Sequence, residues 1–119
     1  MHEMGIILGV LDAVNASAAE AGANRVLLVN LRIGRMTEAI EDALQFAFEA
    51  LSEGTLSEGA ELAIHMVEPE SICLACSHEF SHDRFHRACP SCGSYETMLL
   101  KGRELEIASI EVDIDDEQT

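Results

Sequence analysis

The four cysteines of the chain form two Cys-x-x-Cys pairs, and this spacing constrains the fold more than any other feature of the sequence. The first pair is Cys73 and Cys76, and the second pair is Cys89 and Cys92. A two-residue gap lets one tight turn point both sulfurs at the same ion, and zinc takes four thiolates at tetrahedral corners. The sequence therefore predicts a structural zinc site that leaves no cysteine for catalysis.

Two other interpretations of the cysteines are weaker. Disulfides within each pair would close small strained rings, and the N-terminus does not resemble a secretory signal. A rubredoxin-type iron centre uses a similar pair of turns, but Ser77 stands where glycine is expected after the first one. Only twelve residues separate the pairs, so we expect a compact loop with Phe80 and Phe85 packed around the metal.

Composition and charge exclude several classes of protein. Hydrophobic residues make up 48% of the 119 residues and aromatic residues only 4%, so any core must be aliphatic. No apolar run approaches the roughly 20 residues that cross a bilayer, and we expect a soluble cytoplasmic protein without membrane contact. The formal net charge is −15, and the seven Lys and Arg residues are scattered. We therefore expect no nucleic-acid binding, and partners that are cations or proteins with basic surfaces.

The first half of the chain predicts two helices and a strand. Helical periodicity extends from Glu3 to Ala21, where Gly22 is expected to end the helix, and the apolar residues that carry it are Met4, Ile7, Leu8, Leu11, Val14 and Ala18. The segment 26–33 predicts a strand with one buried face, formed by Leu27, Val29, Leu31 and Ile33. Thr37 is expected to cap a second helix that continues to about Glu53, with Gly54 as the stop.

The second half predicts two further strands around the cysteines. One strand contains Leu62, Ile64 and Met66, and the last extends from Glu104 to Ile114 with a bulge near Ala108. Together these elements predict an α+β fold, with two helices on a three-stranded sheet and an inserted four-cysteine zinc-ribbon-like domain. Two domains are predicted. The first is discontinuous and contains residues 1–70 and 102–114, and the second is the zinc-binding domain of residues 71–101. Residues 115–119 are predicted to form an acidic tail.

The N-terminus predicts a second metal site. At a free terminus the Met1 amine, the His2 backbone nitrogen and the His2 imidazole form adjacent chelate rings, to which Glu3 adds an amide and a carboxylate. Backbone amides lose their protons only to metals that favour planar nitrogen ligation, so this site suits Ni²⁺ or Cu²⁺ rather than zinc. A histidine at the second position is a weak signal alone, but a helix that begins here would hold the chelate in place.

Several motifs together resemble the HypA/HybF hydrogenase-maturation nickel metallochaperone family. They are Met1-His2-Glu3 at the start of a helix, the two cysteine pairs with Pro90 and Gly93, Arg32-Ile33-Gly34, Gly102-Arg103-Glu104-Leu105, and Ile110-Glu111-Val112. The resemblance covers nearly the whole chain, and the combination of parts in this order is more specific than any single motif.

The resemblance implies a function and a set of ligands. Nickel would bind the Met1 amine, the His2 imidazole and the backbone nitrogens of His2 and Glu3, and zinc would bind Cys73, Cys76, Cys89 and Cys92. The family delivers Ni(II) to the large subunit of [NiFe]-hydrogenase together with the GTPase HypB, and in some members to urease accessory proteins.

Other polar residues fit simpler roles. His78, His82 and His86 recur every four residues, but four thiolates already saturate zinc, so we expect these histidines to be solvated or to support the site indirectly. His65 and the Glu41-Asp42 pair are expected to be exposed. The chain has no phosphate-binding loop and no spacing typical of a catalytic set, so we expect no enzyme activity. A zinc-ribbon adaptor that binds only protein is the alternative to a nickel carrier.

Overall fold

The computed structural model describes residues 3–115 and confirms the α+β class. The described chain contains two α-helices, a short 3-10 turn at Arg35–Thr37 and six strands. The helices are α1 (Glu3–Glu20) and α2 (Glu41–Leu51). The strands are β1 (Ala23–Gly34), β2 (Glu61–Val67), β3 (Glu70–Cys73), β4 (Glu79–Ser81), β5 (Thr97–Lys101) and β6 (Leu105–Ile114).

Helix α1 has the predicted helical periodicity, but the prediction was wrong for Met4 and Leu8, which are 49% and 51% exposed, whereas Ile6 and Val10 are buried. Its buried side chains recur at intervals of three and four residues, as expected for one face of a helix, and they are Ile6, Ile7, Val10, Leu11, Val14 and Ala18. The helix ends at Glu20 and is followed by a turn at Gly22, which has a φ of 75° and donates its N–H to the Ala19 carbonyl at 3.0 Å. Glycine adopts this left-handed conformation without steric cost, so the predicted stop is confirmed.

The larger sheet has the strand order β2-β1-β6, which places the longest strand in the centre. Val29, Leu31 and Ile33 of β1 are completely buried, as the alternation predicted. Leu27 is 40% exposed, however, and Val26 is buried in its place. The prediction for Leu27 was wrong because the alternation of buried residues changes phase between Val26 and Val29, which a strict two-residue period does not anticipate.

The predicted N-cap of α2 was also wrong. Thr37 lies in the 3-10 turn, and its hydroxyl donates to the Gly34 carbonyl at 2.8 Å instead of capping a helix. Helix α2 begins at Glu41 after Ile40, which makes no side-chain cap. The side chain of Glu3 takes over part of this role, since its Oε2 accepts the Ile40 N–H at 3.0 Å.

The cysteines lie beside a second small sheet with the strand order β4-β3-β5. Both pairings of β3 are antiparallel, with Ser71 opposite Phe80 of β4 and Leu99 of β5. The register shifts between Glu70 and Ser71, where β3 leaves its regular pairing with β5. Strands of only three to five residues are too short to produce a periodic signal, so this sheet was not predicted.

The described chain divides into two compact units, each discontinuous in sequence. One unit contains the chain up to Leu31, Ala39–Ile64 and the chain from Ile107 onward, and it includes both α-helices. The other contains Arg32–Glu38 and His65–Glu106, and it includes the four cysteines and strands β3 to β5. Within residues 3–115, no helix has the length and hydropathy required to cross a lipid bilayer.

Candidate metal centre

The two cysteine pairs lie in turns with the same backbone pattern. In the first turn the Cys73 N–H donates to the His78 carbonyl, and the Ser77 N–H donates to the Cys73 carbonyl, both at 2.8 Å. The second turn repeats this pattern, because the Cys89 N–H donates to Ser94 at 2.9 Å and the Gly93 N–H donates to Cys89 at 2.8 Å. Each turn therefore fixes its two cysteines through the backbone alone.

The fourth residue after the first cysteine of each pair adopts a left-handed conformation. Gly93 has a φ of 77°, and Ser77 has a φ of 66°. Ser77 thus occupies the position for which glycine is best suited, and it adopts the same turn at a steric cost. Ser77, which stands where a rubredoxin-type centre would have glycine, therefore fits the turn without changing its conformation.

The four sulfurs converge on a single point. The Sγ atoms of Cys73 and Cys92 are 3.6 Å apart, as are those of Cys76 and Cys89, and all four lie within 4.8 Å of one another. A zinc ion with Zn–S distances of about 2.3 Å would separate its sulfurs by about 3.8 Å. All four cysteines are free, and the shortest approaches link the two turns rather than the two cysteines of one pair. The donor set fits a tetrahedral metal ion and not two disulfides.

The thiols influence one another strongly. Burial raises the pKa of Cys89, but the N–H groups of Cys92 and Ser91 and the Cys76 thiol lower it, to about 7. The His78 N–H lowers the pKa of Cys76, but burial and the other three thiols raise it to about 12. One thiol thus loses its proton easily while a second retains it, because the thiolates lie too close to be charged together. A bound cation would remove this conflict by replacing the protons.

Phe80 packs at this centre and Phe85 does not. Phe80 is 8% exposed and forms a buried cluster with Cys73 and Cys89. Phe85 is 74% exposed, and the guanidinium of Arg84 stacks over its ring at 4.8 Å from the ring centroid. The prediction for Phe85 was wrong, since Phe80 lies on strand β4 whereas Phe85 lies in the irregular loop after it.

The loop histidines contact protein groups. The His82 Nε2 lies 2.8 Å from the Ser71 hydroxyl oxygen, and the His78 ring stacks on Phe80 with centroids 6.1 Å apart. His86 lies against the Asp83 carboxylate, with Nδ1 at 2.9 Å from both oxygens. In the described part of the chain, the only group of at least three His, Cys, Asp or Glu side chains close enough to share a metal ion is the four cysteines.

Asp83 organises the loop between the cysteine pairs, a role that the sequence analysis missed. Its Oδ1 accepts the backbone N–H groups of Phe85 and His86, both at 2.8 Å. The hydrogen bond from His86 and these two N–H groups lower the pKa of the Asp83 carboxyl to about 2. An aspartate that accepts the N–H groups of the residues two and three positions after it is typical of an Asx turn, and this pattern is visible in the sequence.

The predicted nickel ligands Met1 and His2 lie outside the described residues. Glu3 is the first residue of α1, and its carboxylate accepts the N–H of Ile40, as described above. The Glu41-Asp42 pair opens α2, and both side chains are exposed, as is His65 on β2.

The sequence is similar to known proteins along almost its entire length. A family model described as the hydrogenase/urease nickel incorporation metallochaperone HypA matches residues 1–112. The hydrogenase maturation factor HypA of Desulfitobacterium hafniense is 43% identical over 113 residues, which cover 95% of this chain and 99% of that protein. The protein of the same name from Chlorobium luteolum is 40% identical over 113 residues, with coverage of 95% and 97%.

Two solved structures share the fold. The solution structure of the nickel metallochaperone HypA from Helicobacter pylori superposes with a TM-score of 0.68 at 24% identity, covering 97% of this chain and all of that one. A second solution structure, of HypA protein, gives a TM-score of 0.72 at 25% identity, with coverage of 97% and 98%. The family model covers residues 1–112 and the relatives are about 40% identical along nearly their whole length, so the chain belongs to the HypA family of nickel metallochaperones for hydrogenase and urease.

Proposed function

We propose that this protein binds Ni(II) at its N-terminus and delivers it for the maturation of [NiFe]-hydrogenase. The observation that carries the proposal is the match of the nickel metallochaperone family model from residue 1, together with the Met1-His2-Glu3 sequence at that position. The nickel is cargo, so its site has to release the ion as well as hold it.

Nickel is bound by four nitrogens: the Met1 amine, the His2 imidazole and the backbone nitrogens of His2 and Glu3. Planar nitrogen ligation suits Ni(II) and selects against zinc by geometry. Glu3 begins α1, and the first N–H groups of a helix have no intrahelical acceptor, so their nitrogens remain available. The hydrogen bond from Ile40 to Glu3 supports the site by fixing the residue at which the chelating segment ends.

The four cysteines bind one zinc ion that has a structural role. Their convergence within 4.8 Å and the equivalent hydrogen bonds of the two turns support this assignment. Four thiolates leave no open coordination position, so this zinc activates no water and we expect no enzyme activity. Zinc supplies the positive charge that lets the crowded thiols lose their protons together.

The receiving partners are other proteins of nickel insertion. By analogy with the family, we propose the GTPase HypB and the hydrogenase large subunit as partners, and we propose the cytoplasm as the location. Urease accessory proteins are a further class, because the family model names both hydrogenase and urease.

A calorimetric Ni(II) titration of the zinc-loaded, untagged protein tests the nickel site. We expect one nickel per chain in the wild type and the loss of that site in His2→Ala, because the imidazole closes a chelate ring. A short extension before Met1 should also abolish the site, since it replaces the terminal amine by an amide.

His86→Ala provides a matched control, as it removes an exposed imidazole that lies against Asp83 and should leave the titration unchanged. If the wild type, His2→Ala and the extended chain all bind nickel alike, the N-terminal site is wrong. The protein would then be interpreted as a zinc-ribbon adaptor that acts through protein binding alone. Zinc content is measured in every variant, to show that the metal centre is intact.

A further inference from the structure

A groove in the unit that contains the helices lies between the second half of α2, the loop that follows it and the start of β2. Its volume is about 820 Å³. Four glutamates line it, and so do the aromatic residues Phe46 and Phe48; the glutamates are Glu49, Glu53, Glu58 and Glu61. No lysine or arginine occurs in the sequence between Arg35 and Arg84, so the segments that form the groove contain no permanent positive charge.

The glutamates of the groove are not neutralised by the described part of the chain. Five of the seven Lys and Arg residues form ion pairs elsewhere, namely Arg25 with Asp113, Arg32 with Glu106, Arg35 with Glu68, Arg84 with Glu38, and Lys101 with Glu70. Within residues 3–115, Glu49, Glu53 and Glu61 have no ion-pair partner. The Glu58 carboxylate accepts the Gly54 N–H at 2.9 Å and forms no ion pair with any described residue.

The position of these charges at the end of α2 adds a second indication of a cationic ligand. A helix C-terminus carries partial negative charge from its last carbonyls, and cations are favoured there while carboxylates are not. Helix α2 has no basic residue in its last turn, which contains Glu49 and is followed by Glu53. A cation supplied from outside would relieve the unfavourable charge at this helix end.

The groove does not favour a metal ion as its ligand. In the described residues no three carboxylates come close enough together to share one, because the only cluster of three or more possible ligands is the four cysteines. Negative charge distributed along a groove matches positive charge distributed along a chain. The ring of Phe46 is 70% exposed on α2, three residues before Glu49 and on the same face of the helix, and it offers an apolar contact beside the charges.

The groove is held in shape by hydrogen bonds. The Gln45 side chain on α2 donates to the Leu62 carbonyl on β2 at 2.7 Å, which connects the two walls. Three backbone hydrogen bonds stabilise the loop between them. The N–H groups of Thr55, Glu58 and Ala60 donate to the carbonyls of Ser52, Thr55 and Ser57, respectively. A preformed groove needs little reorganisation when a ligand binds.

We propose that this groove docks a lysine- or arginine-rich segment of a partner protein that places one apolar side chain against Phe46. The rest of this chain does not suit the groove, because residues 116–119 and 1–2 contain no lysine or arginine. A second copy is also unsuitable, since each copy has a formal net charge of −15. The proposal uses none of the residues proposed to bind nickel and is independent of that site.

A lysine-rich synthetic peptide with one central phenylalanine provides the probe. It is titrated into the zinc-loaded full chain and followed by calorimetry and by backbone amide chemical shifts. We expect shifts confined to the groove and about tenfold weaker binding for the triple variant Glu49→Gln, Glu53→Gln, Glu61→Gln. The variant Phe46→Ser should bind the peptide about fivefold more weakly than the wild type does. This variant should bind the peptide no more tightly than it binds a second peptide that has glycine in place of the phenylalanine.

Two matched controls separate a defined site from general attraction to an acidic protein. The triple variant Asp12→Asn, Glu20→Gln, Glu111→Gln removes the same charge from exposed positions outside the groove, and Phe85→Ser removes another exposed ring. Both should bind within about twofold of the wild type. Equal weakening by the two triple variants, or shifts spread over the whole surface, would overturn the proposal, because the peptide would then sense only net charge. Amide spectra of each variant verify that the fold is intact.

Discussion

Gly34 occupies a position where a side chain has no room. A Cβ atom at this residue would collide with the backbone carbonyl of Gly102, because Gly34 and Met36 both donate their N–H groups to this segment at 2.8 Å. Gly102 itself has a φ of 125°, and a Cβ there would lie 2.8 Å from the Cα of Pro69. The Arg-Ile-Gly and Gly-Arg-Glu motifs noted in the sequence therefore contain glycines that a close approach of backbones requires.

We predict that Gly34→Ala lowers the free energy of unfolding by about 2–4 kcal/mol, since the added methyl group forces two backbone segments apart. Gly9→Ala is the matched control. Gly9 lies inside α1, and a Cβ there would meet no atom within 4 Å, so alanine should stabilise the protein by about 0.5–1 kcal/mol through its higher helix propensity. Urea unfolding of the zinc-loaded variants measures both changes, and equal effects with the same sign would contradict the account.

At the level of secondary structure, the unit that contains the cysteines has little hydrophobic core. Between His65 and Glu106 the buried side chains other than serine are Pro69, Cys73, Phe80 and Cys89, so half of them are metal-ligand candidates. Short strands and so small a core do not stabilise a folded unit without a cross-link or a metal ion.

We predict that removal of the metal with a strong chelator abolishes the hydrogen-exchange protection of strands β3, β4 and β5, whereas the amides of α1 and α2 remain protected. The reason is that metal binding supplies the folding free energy of such a unit, while the helices bury their own aliphatic faces. Exchange measured by NMR before and after chelation tests this, and readdition of zinc should restore protection. Persistent protection of β3 in the metal-free protein would show that the sheet folds on its own.

The elements that could be predicted from the sequence are those that carry a long periodic signal. Helix α1 buries Ile7, Leu11, Val14 and Ala18 at the expected spacing, and the two cysteine pairs converge as their spacing required. The start of α2 could not be predicted, because Thr37 bonds to Gly34 and the N–H of Ile40, just before the helix, is accepted by Glu3, which is distant in sequence. The metal-site loop depends on Asp83 contacts that have no periodicity.

For the molecule as a whole, the net negative charge argues against nucleic acid as a partner. The four Lys and Arg residues in the cysteine-containing segment after β4 are Arg84, Arg87, Lys101 and Arg103, and two of them pair with carboxylates. A zinc ribbon that binds nucleic acid needs a continuous basic surface, since phosphate contacts supply most of the affinity. Here the cations are few and partly neutralised, in a chain with a pI of about 4.4.

We predict that the zinc-loaded protein does not bind a fluorescent DNA duplex or a single-stranded RNA at about 0.15 M salt, where the Debye length is about 8 Å and exposed charges act only nearby. Fluorescence anisotropy measures this, with the lysine-rich peptide as a positive control for the same preparation. Lower salt should not produce binding either, because longer-range electrostatics strengthens the repulsion between an acidic protein and phosphate. Saturable binding that weakens as salt is added would show that the basic residues after β4 form a nucleic-acid surface despite the net charge.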